Sequence, residues 1–176
     1  LLLEECGLPA GYLHVVTGSG SVVGNALVDH DDVSLITFTG SPEVGWSIRA
    51  RAPRKRVGLE LGNNAPLILE ADGDWRSAVA KGEVAGFSHA GQSCISTQRL
   101  LVHRSIKDDV VAELTAAVNT LVVGDPLDEA TDVSALISTS ERDRVAGWVV
   151  EAREAGATVE EVELEFSTDG LEAVAD

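Results

Sequence analysis

A cysteine, a glutamate and two glycine turns are the residues of this chain whose types and spacing can do chemistry. Cys94 lies in Ala90-Gly91-Gln92-Ser93-Cys94-Ile95-Ser96, where a helix gives way to the next segment. The thiolate is the nucleophilic form of cysteine. An exposed loop with backbone N–H groups nearby would lower the thiol pKa from about 8.5 and offer donors to an oxyanion. A free cysteine is also a common inert core residue, so Cys94 alone leaves both readings open. Glu60 sits in Val57-Gly58-Leu59-Glu60-Leu61-Gly62. A carboxylate between leucines is expected to be desolvated, which makes it a stronger general base. The alternative is a strand-end carboxylate that points to water.

The first glycine turn is Gly18-Ser19-Gly20-Ser21-Val22-Val23-Gly24, one residue longer than the G-x-G-x-x-G fingerprint. Glycines there let a backbone approach a ligand, and the helix that follows presents free N–H groups to an anion. Thr39-Gly40-Ser41-Pro42-Glu43-Val44-Gly45 repeats the arrangement. Two such helix starts after consecutive strands suit the phosphates of a dinucleotide better than either alone. A ligand-free tight turn, and Ser41 as a plain helix cap, are the competing readings.

These residues need strands and helices in alternation to hold them. Residues 12–17 read as a short strand, with a helix from the first glycine turn to about residue 29. The apolar run 33–38 reads as a buried strand, followed by a turn at 39–41. Ser41 is a good N-cap, and Pro42 at the first helical position loses no hydrogen bond, so a helix is expected over 42–51. Strands follow at 57–61 and 66–69. Asp74 can cap a helix with Trp75, Ala78, Val79 and Ala85 on its inner face. After a strand at 99–103, Ser105 is the expected cap of a helix carrying Ile106, Val110, Leu114, Ala117 and Leu121. Ser140 with Asp143 resembles a capping box for a third helix, with Val145, Trp148, Val149 and Ala152 inward and Gly156 at its C-terminus. Val162, Leu164 and Phe166 alternate with glutamates as in a half-buried strand. The pattern is α/β with parallel pairing.

Composition narrows the class. The chain has 176 residues, enough for one domain with a sizeable core, and its 44% apolar fraction suits an ordinary folded protein. Twenty-nine acidic residues against 13 basic ones give a net charge of −16, which repels phosphate backbones and makes nucleic acid an unexpected partner. No apolar run reaches the roughly 20 residues of a membrane span, and Leu1-Leu2-Leu3 runs straight into Glu4 and Glu5, unlike a signal peptide. A cytoplasmic location is the default. The two cysteines and four histidines lack metal-ligand spacing, so no metal site is expected. A leucine start with no methionine anywhere points to a fragment or an excised domain.

Five stretches in order resemble the aldehyde dehydrogenases: GLPAGYLHVVTGSG (7–20), ITFTGSPEVG (36–45), LELGNNAP (59–66), AGQSCISTQRLLVH (90–103) and VGDPLDEATDVSALIS (123–138). The pairing of LELG with AGQSC at this separation is the specific part, and the likeness runs to about residue 157. The resemblance implies part of a Rossmann-like nucleotide-binding domain over 1–61, joined to part of the catalytic α/β domain over 62–176. It implies Cys94 as nucleophile and Glu60 as base. Toward NAD or NADP it implies Gly40, Ser41 and Gly45, with Gly20 and Gly24 from the earlier turn and the Leu61 backbone near the nicotinamide. A small aldehyde would be oxidised through a cysteine thioester to the acid, in a dimer or tetramer.

The chain departs from the family at Asn63, where a second glycine usually follows LELG; asparagine tolerates left-handed backbone better than most residues. The family's upstream asparagine for the oxyanion, its upstream lysine for the ribose and its downstream glutamate motif fall outside these residues. Two other readings stay open: a non-catalytic remnant or structural segment, and a coenzyme-A-acylating relative, against which Glu60 argues. The acidic surface itself generates a test. If the carboxylates serve a high-salt environment by holding a hydrated surface, denaturation midpoints rise markedly between low and molar salt. A midpoint indifferent to salt leaves an ordinary solvated acidic surface.

Overall fold

A computed structural model describes residues 2–160. The chain divides after Gly62 into two compact units, each α/β. The first contains α1 (Leu2–Glu5), a π-helical turn (Gly20–Gly24) that runs into α2 (Asn25–Asp29), β1 (Leu35–Gly40), α3 (Pro42–Arg51) and β2 (Arg56–Leu61). β1 and β2 pair in parallel, Leu35 opposite Arg56 through Gly40 opposite Leu61. A parallel pair cannot be joined by a hairpin, and α3 is the crossover that joins it.

The local chemistry of α3 explains its bounds. Ser41 Oγ accepts from the Val44 N–H at 3.3 Å and Pro42 follows at the first helical position. Arg49 and Arg51 stand in the last turn, where cations complement the helix dipole. The helix stops at Ala52, whose backbone leaves the α region ahead of Pro53. Val28, Ile48 and Ala52 form the buried core, with Ile36, Phe38 and Val57 packed against them. Two cations tie α2 down: Lys55 Nζ donates to the carbonyls of Val28 and His30 at 2.6 Å each, and Arg51 pairs with Asp29 at 2.5 Å.

The strand expected at 12–17 is not formed. The stretch carries no ladder bonds, and Tyr12, Leu13, Val15 and Val16 are exposed. β-propensity needs a neighbouring strand to pair with, and the described residues of this unit supply none there.

The second unit is built the same way: β3 (Pro66–Leu69), α4 (Trp75–Phe87) and β4 (Arg99–Val102), with β3 and β4 parallel from Pro66 opposite Arg99 to Leu69 opposite Val102. Asp74 Oδ1 accepts from the Ser77 N–H at 3.2 Å as the cap of α4. Trp75, Val79 and Gly82 are buried at helical spacing. α5 (Lys107–Val118) packs alongside, so that Leu69, Trp75, Val79, Ile106 and Val110 make one core with Leu67, Leu100 and Leu114 around it. Each fully buried aliphatic side chain contributes roughly 1.5–3 kcal/mol. Ser105 is not the cap of this helix. His103 closes the preceding turn instead, its Nδ1 accepting from the Ser105 N–H at 3.3 Å, and the α-helical part starts only at Lys107.

α6 (Thr139–Glu154) begins one residue ahead of the expected cap. Ser138 Oγ accepts from the Glu141 N–H at 3.2 Å, and Ser140 spends its hydroxyl on Ser138 at 2.8 Å. Ser138 with Glu141 has the S-x-x-E spacing of a capping box. The Arg144 guanidinium hydrogen-bonds Glu141 and holds its carboxyl below the usual carboxylate range. Gly156, at φ +90°, ends the helix as expected: its N–H bonds to the Arg153 carbonyl, and the Ala157 N–H to that of Ala152, at 2.9 Å each. The inner face expected for α6 is open, with Val145, Trp148 and Val149 exposed and Arg144 stacked on the Trp148 ring at 4.3 Å. Residues 162–166, read as a strand, lie outside the described residues.

α4 ends in a 3₁₀ turn (Ser88–Gly91), where His89 and Ala90 both take left-handed backbone, φ 54° in each, ahead of Gly91 at φ +72°. A left-handed residue with a Cβ costs roughly 1–2 kcal/mol, whereas glycine in a helix interior costs about 1 kcal/mol relative to alanine. Ala90→Gly is therefore expected to be neutral or to stabilise by up to about 1 kcal/mol. Ala80→Gly, on the exposed face of α4, is expected to destabilise by about 1 kcal/mol. Urea denaturation of the two variants checks this; a loss at Ala90 as large as that at Ala80 removes the strain.

Candidate active site

Cys94 is exposed, in a turn closed by the Ser96 N–H bonding back to the Ser93 carbonyl at 3.1 Å. Four side chains shape that turn. Ser93 Oγ accepts from the Ile95 N–H at 3.4 Å. Ser96, only 3% exposed, donates from its hydroxyl to the Gly91 carbonyl at 3.3 Å. Gln92 spans two segments: its Nε2 donates to the His89 carbonyl at 3.1 Å, and its Oε1 accepts from the Ile137 N–H at 2.9 Å. Asn63 completes the set, its Nδ2 donating to the Cys94 carbonyl while its Oδ1 accepts from the Ala65 N–H at 2.7 Å. The Cys94 N–H itself has no hydrogen-bond partner among the described residues. The segment is also threaded closely: the Thr97 N–H bonds to the Ala85 carbonyl at 3.2 Å, and a Cβ at Gly86 would come within 3.4 Å of the Thr97 carbonyl oxygen.

Of these, sequence reasoning singled out Cys94 alone. Gln92 and Ser96 stand two residues on either side of it, but nothing in their types says which distant backbone groups they reach. Asn63 was visible only as a departure from a glycine. A cavity of about 590 Å³ lies beside the turn, lined by Ala80, Val84, Ala85, Ser93 and Ile95; Cys94 is not in its wall.

Glu60 belongs to the first unit and Cys94 to the second. Glu60 occupies the penultimate position of β2, opposite Thr39. The burial expected for it is not there: Leu59 and Leu61 are half-buried, and Glu60 is exposed. Side chains alternate across a strand, so the leucines that flank Glu60 in sequence face away from it.

The residues read for the cofactor fall into two groups. Gly20 and Gly24 line a cleft of about 640 Å³ together with Phe38, Val44, Ser47 and Arg51. Both glycines have open space where a Cβ would stand, so the backbone there is approachable. Gly40, Ser41, Gly45 and Leu61 are outside the walls of that cleft. Gly45 is buried, and a Cβ on it would come within 2.5 Å of Leu61 Cδ2 and 3.4 Å of Leu59 Cδ2, so its bareness lets α3 lie close on β2. A Cβ on Gly40 would meet the Phe38 ring at 2.5 Å. Ser41 Oγ is occupied as the helix cap already described. Among the described residues no group of His, Cys, Asp or Glu is placed to hold a metal ion, and no helix is long and apolar enough to cross a membrane.

The model of the aldehyde dehydrogenase family matches residues 1–168. A 3-sulfolactaldehyde dehydrogenase of Priestia aryabhattai is 46% identical over 159 residues, covering 90% of this chain and 33% of that protein. An NADP-dependent glyceraldehyde-3-phosphate dehydrogenase of Streptococcus equinus is 44% identical, covering 87% and 32%. Among solved structures, an indole-3-acetaldehyde dehydrogenase complexed with NAD+ superposes with a TM-score of 0.87 at 37% identity, covering 91% of this chain and 33% of that one. An NADP-dependent glyceraldehyde-3-phosphate dehydrogenase from Bacillus halodurans complexed with NADP does so with a TM-score of 0.86 at 34% identity, covering 93% and 34%. The chain thus spans about a third of the length of the relatives it matches, and over that third it belongs to the aldehyde dehydrogenase family.

Proposed function

We propose that this chain carries the central chemistry of an NAD- or NADP-dependent aldehyde dehydrogenase that oxidises a small aldehyde to its carboxylic acid. The observation that supports it best is Cys94: an exposed thiol in a turn fixed by four side chains, inside a segment similar throughout to proteins of this activity. In this reading residues 1–61 are part of the nucleotide-binding domain and 62–176 part of the catalytic domain. The whole enzyme is cytoplasmic and a dimer or tetramer. The apolar surfaces open in the chain, such as Val15, Trp46 and Trp148, are then covered by the two thirds of the enzyme that the chain does not span.

The residues present fit a nucleotide cofactor. The bare backbone of Gly20 and Gly24 beside the cleft admits close approach of a phosphate. Gly40 and Ser41 stand where β1 passes into α3, the end of a parallel strand at which such ligands bind. Gly45 acts by letting that helix start approach β2, and the Leu61 backbone lies at the end of β2. The cofactor, when bound, supplies the hydride acceptor.

The chain's own residues do the rest. The Cys94 thiolate attacks the aldehyde carbonyl carbon, forming a carbon–sulfur bond and an oxyanion. The Cys94 N–H, with no partner in the described chain, is available to that oxyanion. Collapse of the adduct expels hydride and leaves a thioester on Cys94. Glu60 takes a proton from water as the water attacks the thioester carbonyl; the acid departs and the thiolate is restored. As an exposed side chain near the end of β2, Glu60 is accessible to water.

A chimera in which residues 1–157 replace the matching segment of an active relative tests the assignment, once the parent chimera is shown to turn over. Cys94→Ser should abolish even the first turnover of NADH, because an unactivated hydroxyl is a far weaker nucleophile. Glu60→Gln should keep acylation and lose hydrolysis, giving a burst of NADH and then a slow steady state. Normal turnover in Glu60→Gln removes Glu60 as the base. The chain alone should bind NAD weakly, since the family's ribose-holding lysine is outside it and each lost charge-assisted bond is worth roughly 1.5–3 kcal/mol. Micromolar affinity by titration calorimetry would overturn that.

A further inference from the structure

Asn63 is the residue at which the chain departs from the glycine usual in its family, and the structure gives its side chain two simultaneous partners. Oδ1 accepts from the Ala65 N–H at 2.7 Å, and Nδ2 donates to the carbonyl of Cys94, 31 positions away in sequence. The first bond is a turn that asparagine makes with its own loop, and it sets the plane of the amide. With that plane set, the direction of Nδ2 is set too, and it meets the carbonyl of the peptide unit joining Cys94 to Ile95. A glycine can make neither bond. The loop that carries Asn63 is itself held, because the Asn64 carbonyl accepts from Arg99 Nε at 2.9 Å where β4 begins. Asn63 and Cys94 both lie within the second unit.

We propose that Asn63 is a positioning residue for Cys94, an assignment that rests on the reading of Cys94 as the nucleophile. Its amide takes the place of the flexibility that a glycine would give: it pins the Cys94 carbonyl, and so limits the rotations of the turn Ser93–Ser96 through which the thiol is presented. Ser93 and Ser96 tie that turn within its own segment, and Gln92 links the same segment to the Ile137 N–H. Asn63 is the tie that reaches the Cys94 carbonyl itself, from the loop before β3.

The test uses the whole chain with Cys6→Ser, which leaves Cys94 as its only thiol. Asn63→Asp keeps the acceptor for Ala65 and removes the donor to Cys94; Asn63→Gly removes both. Two readouts separate the roles: amide hydrogen exchange at Ala65 and Ser96, and the pH profile of Cys94 alkylation by iodoacetamide. In Asn63→Asp, Ala65 should exchange as in the parent, Ser96 should exchange about five- to tenfold faster, the scale of one lost hydrogen bond, and the alkylation profile should move to higher pH because a carboxylate beside the turn opposes the thiolate. In Asn63→Gly both amides should exchange faster. If Ser96 exchange and the alkylation profile are unchanged in both variants, Asn63 serves only its own loop and the proposal fails. Alkylation of Cys94 no faster than that of Cys6 in the unmodified chain, together with faster Ser96 exchange in Asn63→Asp, counts against the nucleophile reading while upholding the tie.

Discussion

Parallel pairing is the constraint on which the rest of this structure depends. Two parallel strands need a crossover, and in each unit the crossover contains the helix that supplies the cover: α3 over β1 and β2, α4 over β3 and β4. Both strands of a pair then point the same way, so the loops at their carboxyl ends gather at one edge. That is where Gly40 and Ser41 leave β1 and where Glu60 and Leu61 end β2. Gly40, Ser41, Glu60 and Leu61, which sequence reading marked for chemistry, are brought to that edge by this topology, whereas Gly20, Gly24 and Gly45 lie elsewhere in the unit.

The same constraint explains what is left open. Parallel sheets are ordinarily covered on both faces, whereas each two-stranded sheet here alternates between buried or half-buried positions and exposed ones. Leu35, Ile68 and Leu101 are apolar side chains on the uncovered face. The cores are small in consequence: among the described residues, three buried apolar side chains make the cluster of the first unit and five the main cluster of the second. A sequence of apolar strands thus describes a sheet covered on two sides, and the described residues supply one of them.

Features decided by a few adjacent residues were legible. Ser41 with Pro42, Asp74, and Gly156 set helix ends through groups within four positions of themselves, and each does so as its type predicts. Legibility failed where the deciding partner is not implied by the local sequence. Residues 12–17 have strand composition but, among the described residues of their unit, no strand pairs with them. His103 displaced Ser105 as a turn cap, and Ser138 displaced Ser140, because several candidate oxygens or nitrogens stood within two residues of each other. The left-handed pair at 89 and 90 was not legible: histidine visits that backbone more often than most residues but still rarely, and alanine gives no sign of it. Gln92 and Asn63 belong to the same class: their hydrogen bonds span 45 and 31 positions, and only the folded chain selects them.

Glu60 shows how a correct identification of an element can mislead about an environment. Its leucine neighbours suggested desolvation, an inference that treats adjacency in sequence as adjacency in space. In β2 the period is two, so Leu59 and Leu61 turn toward α3, where Leu61 packs on Gly45, and the intervening carboxylate is turned out by the same alternation that buries them. The more firmly the leucines are held, the more firmly Glu60 is presented to solvent. Burial within its own unit therefore plays no part in the role proposed for Glu60. Cys94 is governed by the opposite circumstance. It has no regular element to orient it, and its presentation depends on hydrogen bonds to Ser93, Gln92, Ser96 and Asn63 that hold the backbone and leave the thiol free.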